Sequence, residues 1–281
     1  MNLRALAGKV IASGAILAAA LVFLIFFGPR PTPAYAEIYG PLARAAGFLP
    51  PPPGSPALRI GRALVNGQPF DYAIGRSSLR LDDILTHYER QFQTKTPASD
   101  APLSTAARVQ GPGAGAVAGM RFGPLLHPGE FSERFRTFSE TKRLNDFAQF
   151  HLISAFEQQG TVFIEFTPGE TARIDRLLPA GSDDAPGEDP AGVRRPAGLQ
   201  RLLTIEHGEG RTWSRSIIYR AQDSRPAVEE FRRAFGSAGW THNPAVESPA
   251  VAHFTDGQRE CFVGGAGAGL DSVIALVLRR L

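Results

Sequence analysis

The sequence has one cysteine, few lysines and no acid in its first 36 residues. Because Cys261 has no partner among the 281 residues, an internal disulfide framework and a cysteine-rich zinc module are excluded. The formal net charge is +3, but Arg4, Lys9 and Arg30 all precede the first acid, Glu37. Beyond residue 36 the chain therefore carries 27 basic and 27 acidic residues. This balance gives no support to a nucleic-acid partner or to binding at an anionic surface.

The remaining composition is that of a folded chain. Hydrophobic residues make up 43% of the sequence, which excludes a wholly disordered protein. Arg outnumbers Lys 27 to 3, and Ala, Gly and Pro are abundant, as is typical of proteins from GC-rich bacterial genomes. The single Cys261 is expected to be a small buried residue and not a reactive thiol.

A long uncharged run lies near the N-terminus. Residues 10–29 contain no charge, and as a helix they would cover about 30 Å, the thickness of a bilayer's hydrocarbon core. Arg4 and Lys9 precede the run, so the positive-inside rule places the N-terminus in the cytoplasm and the rest outside. The sequence predicts a signal anchor in the inner membrane, with the C-terminal part in the periplasm.

A cleaved signal peptide is the alternative interpretation of residues 1–36. Ala34 and Ala36 form an A-x-A signal peptidase site before Glu37. Cleavage after Ala36 would make the protein periplasmic or secreted. Both interpretations place residues 37–281 on the outer side of the inner membrane and predict a protein of the bacterial cell envelope.

Residues 37–57 are rich in proline. The run Pro50-Pro51-Pro52-Pro53 favours an extended polyproline conformation. We expect a semi-rigid spacer between the membrane and the folded part.

Residues 58–168 predict a first unit of strands and helices. Asn66-Gly67 between two apolar runs indicates a hairpin. Apolar residues at helical spacing predict amphipathic helices at 81–92 and around 131–138. Residues 97–116 are rich in Pro, Gly, Ala and Ser and are predicted to be a loop, and a second hairpin is predicted around Gly160.

A second unit is predicted at 199–281. Residues 169–198, with their many Pro, Gly and Asp residues, are predicted to be a flexible linker that buries no core. The second unit then repeats the pattern of hairpin, helix and closing strands. Its helix is predicted to be capped by Asp223 or Ser224 and to present Val228, Phe231 and Phe235 on one face.

The similar order of elements suggests an α+β fold in two duplicated units. Each unit is expected to pack one helix on a mainly antiparallel sheet. We equate Tyr72 with Tyr219, residues 150–155 with 260–265 and residues 161–164 with 272–275. The first unit would then carry an insertion near 97–140.

No cluster of residues predicts a catalytic, cofactor or metal site. Asp83 and His87 lie four residues apart on one helix, and His207 and Glu209 flank a glycine, but two ligands do not make a metal site. His151 and His253 are interpreted as ordinary strand residues.

Glycines and paired acids give no firmer signal. The glycine-rich run 264–269 lacks both the dinucleotide fingerprint and the Lys-Ser/Thr of a P-loop. Glu229-Glu230 is expected on an exposed helix face, and Asp183-Asp184 falls in the predicted linker.

The sequence therefore predicts a non-catalytic binding or assembly module with a protein partner in the envelope. The alternative is an envelope hydrolase whose site is assembled from residues distant in sequence. A cleft with convergent His, Asp or Glu side chains would favour the hydrolase, whereas an exposed apolar patch or a bare strand edge would favour the binding module.

Overall fold

The computed structural model describes residues 47–55, 58–92, 104–111, 113–121, 128–157, 159–177, 183–208, 213–244, 251–266 and 272–281. The predicted anchor at 10–29 and the signal peptidase site at Ala34, Ala36 and Glu37 lie outside these residues. Among the residues that are described, none of the helices has the length and apolarity needed to cross a membrane.

The fold is α+β with antiparallel sheet pairing, as predicted. Twelve strands are described: β1 Leu58–Val65, β2 Gln68–Ser77, β3 Ser104–Gly111, β4 Ala114–Arg121, β5 Gln149–Glu157, β6 Thr161–Pro168, β7 Gln200–His207, β8 Ser214–Ala221, β9 Thr241–His242, β10 Val251–Thr255, β11 Arg259–Ala266 and β12 Ser272–Arg280. The described helices are α1 Leu81–Phe92, α2 Pro128–Thr141, α3 Ile174–Leu177 and α4 Ser224–Ser237, with a 3-10 turn at Leu144–Asp146.

The contacts divide the described chain into two units. Unit 1 contains residues 47–62 and 68–174, and unit 2 contains residues 63–67 and 175–281. The Asn66-Gly67 turn has both φ angles positive, at 50° and 71°, which is the geometry expected of a tight hairpin turn.

In unit 1 the strand order is β3-β4-β5-β6-β2-β1. The helix α1 buries the apolar stripe that its periodicity predicts, and this stripe packs on β4, β5 and β6. The predicted hairpin around Gly160 is formed by β5 and β6.

In unit 2 the strand order is β7-β8-β12-β11-β10-β9, and residues 63–65 of β1 pair with β7. Asp223 caps α4 by accepting the backbone N–H of Arg225 at 3.1 Å, as predicted. Phe231 and Phe235 of this helix are fully buried against the sheet.

The two units share one order of elements. In each unit a hairpin leads into a helix, four strands follow, and the last strand returns to pair with the second strand of the hairpin. Unit 1 differs by the segment that holds α2 and the 3-10 turn, between β4 and β5. The insertion was predicted too broadly at 97–140, and the predicted loop at 97–116 was wrong in part, because residues 104–111 and 114–121 form β3 and β4.

The pairing of Tyr72 with Tyr219 was also wrong. Phe163 of β6 is the cross-strand partner of Gly75 of β2 in unit 1, and Ile274 of β12 is the cross-strand partner of Tyr219 of β8 in unit 2. If residues 161–164 correspond to 272–275, as predicted, Phe163 matches Ile274. Tyr219 then occupies the position of Gly75, three residues after Tyr72. Since side chains alternate between faces along a strand, an odd offset places the two tyrosines on opposite faces of their sheets.

Two proline-rich stretches contribute to the core, contrary to expectation. Phe48 and Leu49, in the predicted spacer, are buried in the core of unit 1. Ala185 and Val193, in the predicted linker, are buried in unit 2. Composition failed here because single apolar residues between prolines can dock on a neighbouring core without any periodic pattern.

Candidate functional site

Helix α2 presents partly exposed aromatic side chains. Phe131 and Phe135 lie one turn apart and are 43% and 42% exposed. Phe138, one further turn along, is buried. Together with Phe147 these residues form what we call the aromatic face of α2.

The chain reversal after α2 positions Phe147. Lys142 ends the helix in the left-handed region with φ 60°, and its N–H donates to the carbonyl of Phe138 at 2.8 Å. The carboxylate of Asp146 accepts from the Thr141 hydroxyl at 2.6 Å and from Arg143 Nε at 3.1 Å. These bonds fix the 3-10 turn that returns the chain to the helix.

Phe147 then contacts three rings of α2. Its ring centroid lies 5.5 Å from Phe131, 5.9 Å from Phe135 and 5.5 Å from Phe138. Such distances are those of favourable aromatic pairs, so Phe147 packs against all three rings of the helix.

Charges of both signs lie beside the aromatic face, where Glu130 pairs with Arg134 at 2.8 Å. Glu133 and Arg136, which are 3.9 Å apart, fall on the opposite side of the helix. A helix that binds anionic lipid carries an excess of basic residues on its polar side. A mixed rim around an aromatic centre is instead the anatomy of a protein–protein interface.

In unit 2 the described connection between β10 and β11, which matches that between β4 and β5, is a short turn and not a helix. The two strands are joined at Asp256-Gly257, where Asp256 accepts the backbone N–H of Gln258 and of Arg259. The tight turn leaves no room for a helix between these strands. The aromatic face is therefore a feature that unit 1 adds to the shared order of elements.

A second feature of unit 1 is a buried polar cluster beneath α1. Glu165 accepts from His151 Nδ1 at 2.7 Å and from the backbone N–H of Leu49 at 2.9 Å. The side chains of His151 and Glu165 are only 1% and 2% exposed. Burial raises the pKa of Glu165, although the hydrogen bond from His151 partly offsets it.

Tyr88 of α1 completes this cluster. Burial raises the pKa of its phenol well above the usual value, and the negative charge of Glu165 adds to the effect. His151 also packs against the ring of Phe92, with centroids 5.8 Å apart. With Leu49 docked the dyad is enclosed, and in this arrangement it holds the chain by one backbone N–H.

Unit 2 holds its own proline-rich segment with an ionic cluster. Asp189 accepts from the Tyr219 hydroxyl and from Arg201, each at 2.7 Å. Arg195 bonds Asp184 at 2.6 Å and lies 3.3 Å from Asp189. We call Asp184, Asp189, Arg195, Arg201 and Tyr219 the ionic clamp.

The clamp also has backbone contacts with β7. Asp184 accepts the N–H of Arg201 at 2.8 Å, and the N–H of Ala185 donates to the carbonyl of Arg201 at the same distance. The hydrogen bond from Arg195 holds the pKa of Asp184 below its usual value. The clamp thus ties residues 184–195 to the sheet of unit 2.

A second His–Glu pair lies on the other side of the unit 2 sheet from α4. His253 Nε2 is 3.0 Å from Glu260, which also pairs with Arg279. The His253 ring stacks on Phe262 with centroids 4.3 Å apart. Strand alternation separates this group from the core residues Phe254 and Cys261, which face α4.

The residues singled out from the sequence do not converge on one site. His87 lies 3.0 Å from the Pro50 carbonyl and is not paired with Asp83, and His207 bonds Ser214 at 2.7 Å. Glu209 and residues 267–269 lie outside the described residues. No group of three or more His, Cys, Asp or Glu suited to a metal occurs in the described part of the chain.

Sequence reasoning missed the polar cluster beneath α1 and the ionic clamp. His151 and Glu165 are 14 residues apart, and only the hairpin register shows that they share a face. Cys261 lies buried at the core, where burial raises the pKa of its thiol well above the usual value.

Comparison of the chain with protein-family models, with curated proteins and with solved structures found no match.

Proposed function

We propose that this chain is a bacterial envelope protein whose two α+β units form a non-catalytic binding or assembly module. The aromatic face of α2 is the surface that docks a protein partner. Residues 10–29 tether the module to the inner membrane, or cleavage after Ala36 releases it to the periplasm.

The exposed pair Phe131 and Phe135 is the observation that carries this proposal. Large aromatic side chains that are packed against neighbouring rings and half exposed are typical centres of binding energy at interfaces. The mixed charges of Glu130 and Arg134 beside the rings supply the polar rim. The partner should therefore offer an apolar groove bordered by charges of both signs.

Two further parts of the proposal concern origin and chemistry. The shared order of elements, and the buried stripes of α1 and α4 at identical spacing, support an origin of the two units by duplication. A hydrolase is the weaker alternative, because the His151–Glu165 and His253–Glu260 pairs are both buried.

Site-specific photocrosslinking tests the docking surface. Benzoylphenylalanine placed at Phe131 or Phe135 in the full chain, expressed in its own host, should give one discrete protein adduct. The Phe131→Ala/Phe135→Ala variant should lose at least about tenfold of the partner recovered, since each interface aromatic contributes roughly 2 kcal/mol. Its thermal stability should stay close to that of the wild type, because both rings are half exposed.

Arg136, which is well exposed on the same helix, provides the matched control. Crosslinker at residue 136 should give little adduct, and Arg136→Ala should recover the partner normally. Equal adducts from residues 131 and 136, or adducts with phospholipid in place of protein, would contradict the proposal.

A further inference from the structure

The first described residues of the chain lie in a cradle on unit 1. Phe48 and Leu49 are buried against α1 and the sheet, while Gly47 and Pro50 on either side are exposed. We call residues 47–50 the strap. It enters the core through two side chains only, as a bound peptide does.

The cradle recognises backbone atoms of the strap. Glu165 accepts the Leu49 N–H at 2.9 Å, and His87 Nε2 lies 3.0 Å from the Pro50 carbonyl, to which its ring N–H donates. Contacts to main-chain groups combined with burial of individual side chains are the chemistry of peptide recognition. The following prolines favour an extended conformation and so reduce the entropy lost on docking.

Comparison with unit 2 shows that this polarity is not required by the fold. In unit 1 Ile153 of β5 is the cross-strand partner of Glu165 of β6. In unit 2 Val263 of β11, the residue that matches Ile153, is the cross-strand partner of Leu276 of β12. By this register Cys261 and Leu276 occupy the positions of His151 and Glu165. The buried stripes of α1 and α4 place Phe231 at the position of Tyr88.

Unit 1 therefore carries a costly buried acid where the same element order accommodates leucine. Burying a carboxylate is unfavourable unless it is fully hydrogen-bonded. The groups facing Glu165 are His151 from β5, Tyr88 from α1, the Leu49 N–H from the strap and the more distant charge of Arg121 from β4. Among the described residues, the contact of Glu165 that reaches outside the helix and sheet of the unit is the bond to Leu49.

We propose that the cradle is a peptide-binding site for an extended Phe-Leu-Pro segment, occupied in this structure by the chain's own strap. Glu165 and His87 read the peptide backbone, and the apolar core beneath α1 receives the Phe and Leu side chains. The site is separate from the aromatic face of α2. Its ligand is an extended apolar peptide with a free N–H at the leucine.

The experiment empties the cradle and supplies the strap in trans. The full chain with Phe48→Ser/Leu49→Ser is titrated with a fluorescent peptide of residues 47–53, and anisotropy is recorded. The variant should bind saturably, and the wild type at least about tenfold more weakly, because its own strap competes at high effective concentration. A peptide N-methylated at the leucine nitrogen should not bind, because it has no N–H for Glu165.

Absence of binding to a folded variant, or equal binding of the N-methylated peptide, would overturn the proposal. If the double variant does not fold, the proposal is tested instead by measuring hydrogen exchange at the Leu49 amide in chains that keep the strap. Glu165→Leu should accelerate that exchange at least about tenfold, since it removes the acceptor. Glu260→Leu, which alters the other buried His–Glu pair, should leave it unchanged, and an unchanged rate in Glu165→Leu would reject the site.

Discussion

The two units hold the segments that precede their first hairpins by opposite means. Unit 1 uses a single carboxylate, Glu165, buried beneath α1 and directed at one backbone amide. Unit 2 uses several charges at the margin of its sheet, with Asp189 and Arg195 about one quarter exposed. One order of elements therefore supports two ways of fixing a proline-rich segment. The free energy needed to desolvate the charged groups is larger for the buried Glu165 than for the partly exposed clamp.

The largest expected effect comes from breaking the ionic clamp. Asp189→Ala removes the acceptor of both the Tyr219 hydroxyl and the Arg201 guanidinium. Hydrogen bonds to charged groups contribute about 1.5–3 kcal/mol, so we expect unit 2 to lose roughly 2–3 kcal/mol of unfolding free energy. Urea denaturation followed by tryptophan fluorescence reports this loss, because Trp213 and Trp240 both belong to unit 2. Asp183→Asn, at an exposed position, is the control, and an unchanged midpoint in Asp189→Ala would show that the clamp does not stabilise the unit.

A smaller effect is expected when unit 1 is given the residues of unit 2. The variant Tyr88→Phe/His151→Cys/Glu165→Leu replaces the polar cluster with its apolar equivalents. Because replacing a buried polar pair as a whole is often neutral, the main loss in unfolding free energy should come from the Leu49 N–H left without its acceptor, about 1 kcal/mol. Circular dichroism during urea denaturation measures it.

The single variant Glu165→Leu sharpens that test. It strands the His151 nitrogen without its acceptor and should cost about 1–3 kcal/mol. If the triple variant were less stable than this single variant, the two cores would not be interchangeable, and the alignment of the units would be wrong.

The smallest expected effect is the contribution of Asp184 to stability as the pH is lowered. The pKa of Asp184 is depressed in the folded state, so its ionised form contributes stability above the pKa of an unfolded aspartate, about 3.9. That contribution is lost as the pH falls through the lower folded-state pKa. Denaturation of wild type and Asp184→Asn between pH 6 and pH 2 should show wild type more stable at pH 6 and the difference vanishing near pH 2. A constant difference across this range would contradict the assignment.

The sequence predicted the elements whose residues follow a clear period. The helices α1 and α4 were found because their apolar residues recur every three or four positions, and the hairpin turn because Asn66 and Gly67 both accept positive φ. The strand β3 was missed because it has no alternating apolar pattern and depends on pairing with β4 for its conformation.

The polar clusters were missed for a different reason. His151 and Glu165, or Tyr219 and Asp189, come together only through strand register and chain return, which a linear pattern does not encode. The aromatic spacing of α2 was predicted, but spacing does not tell which rings remain exposed. Phe138 is buried and Phe135 is not, although Phe147 contacts both rings.

The division of β1 has a consequence for anyone who wishes to express unit 2 alone. Residues 63–67 are counted with that unit, where Ala63, Leu64 and Val65 pair with β7 and the Asn66 side chain accepts the N–H of Thr204 at 2.7 Å. A fragment that starts at residue 175 would keep the pairing of β7 with β8 but leave the other edge of β7 without its partner residues 63–65. The shortest self-sufficient piece must therefore supply those five residues as well, either by a circular permutation or as an added peptide.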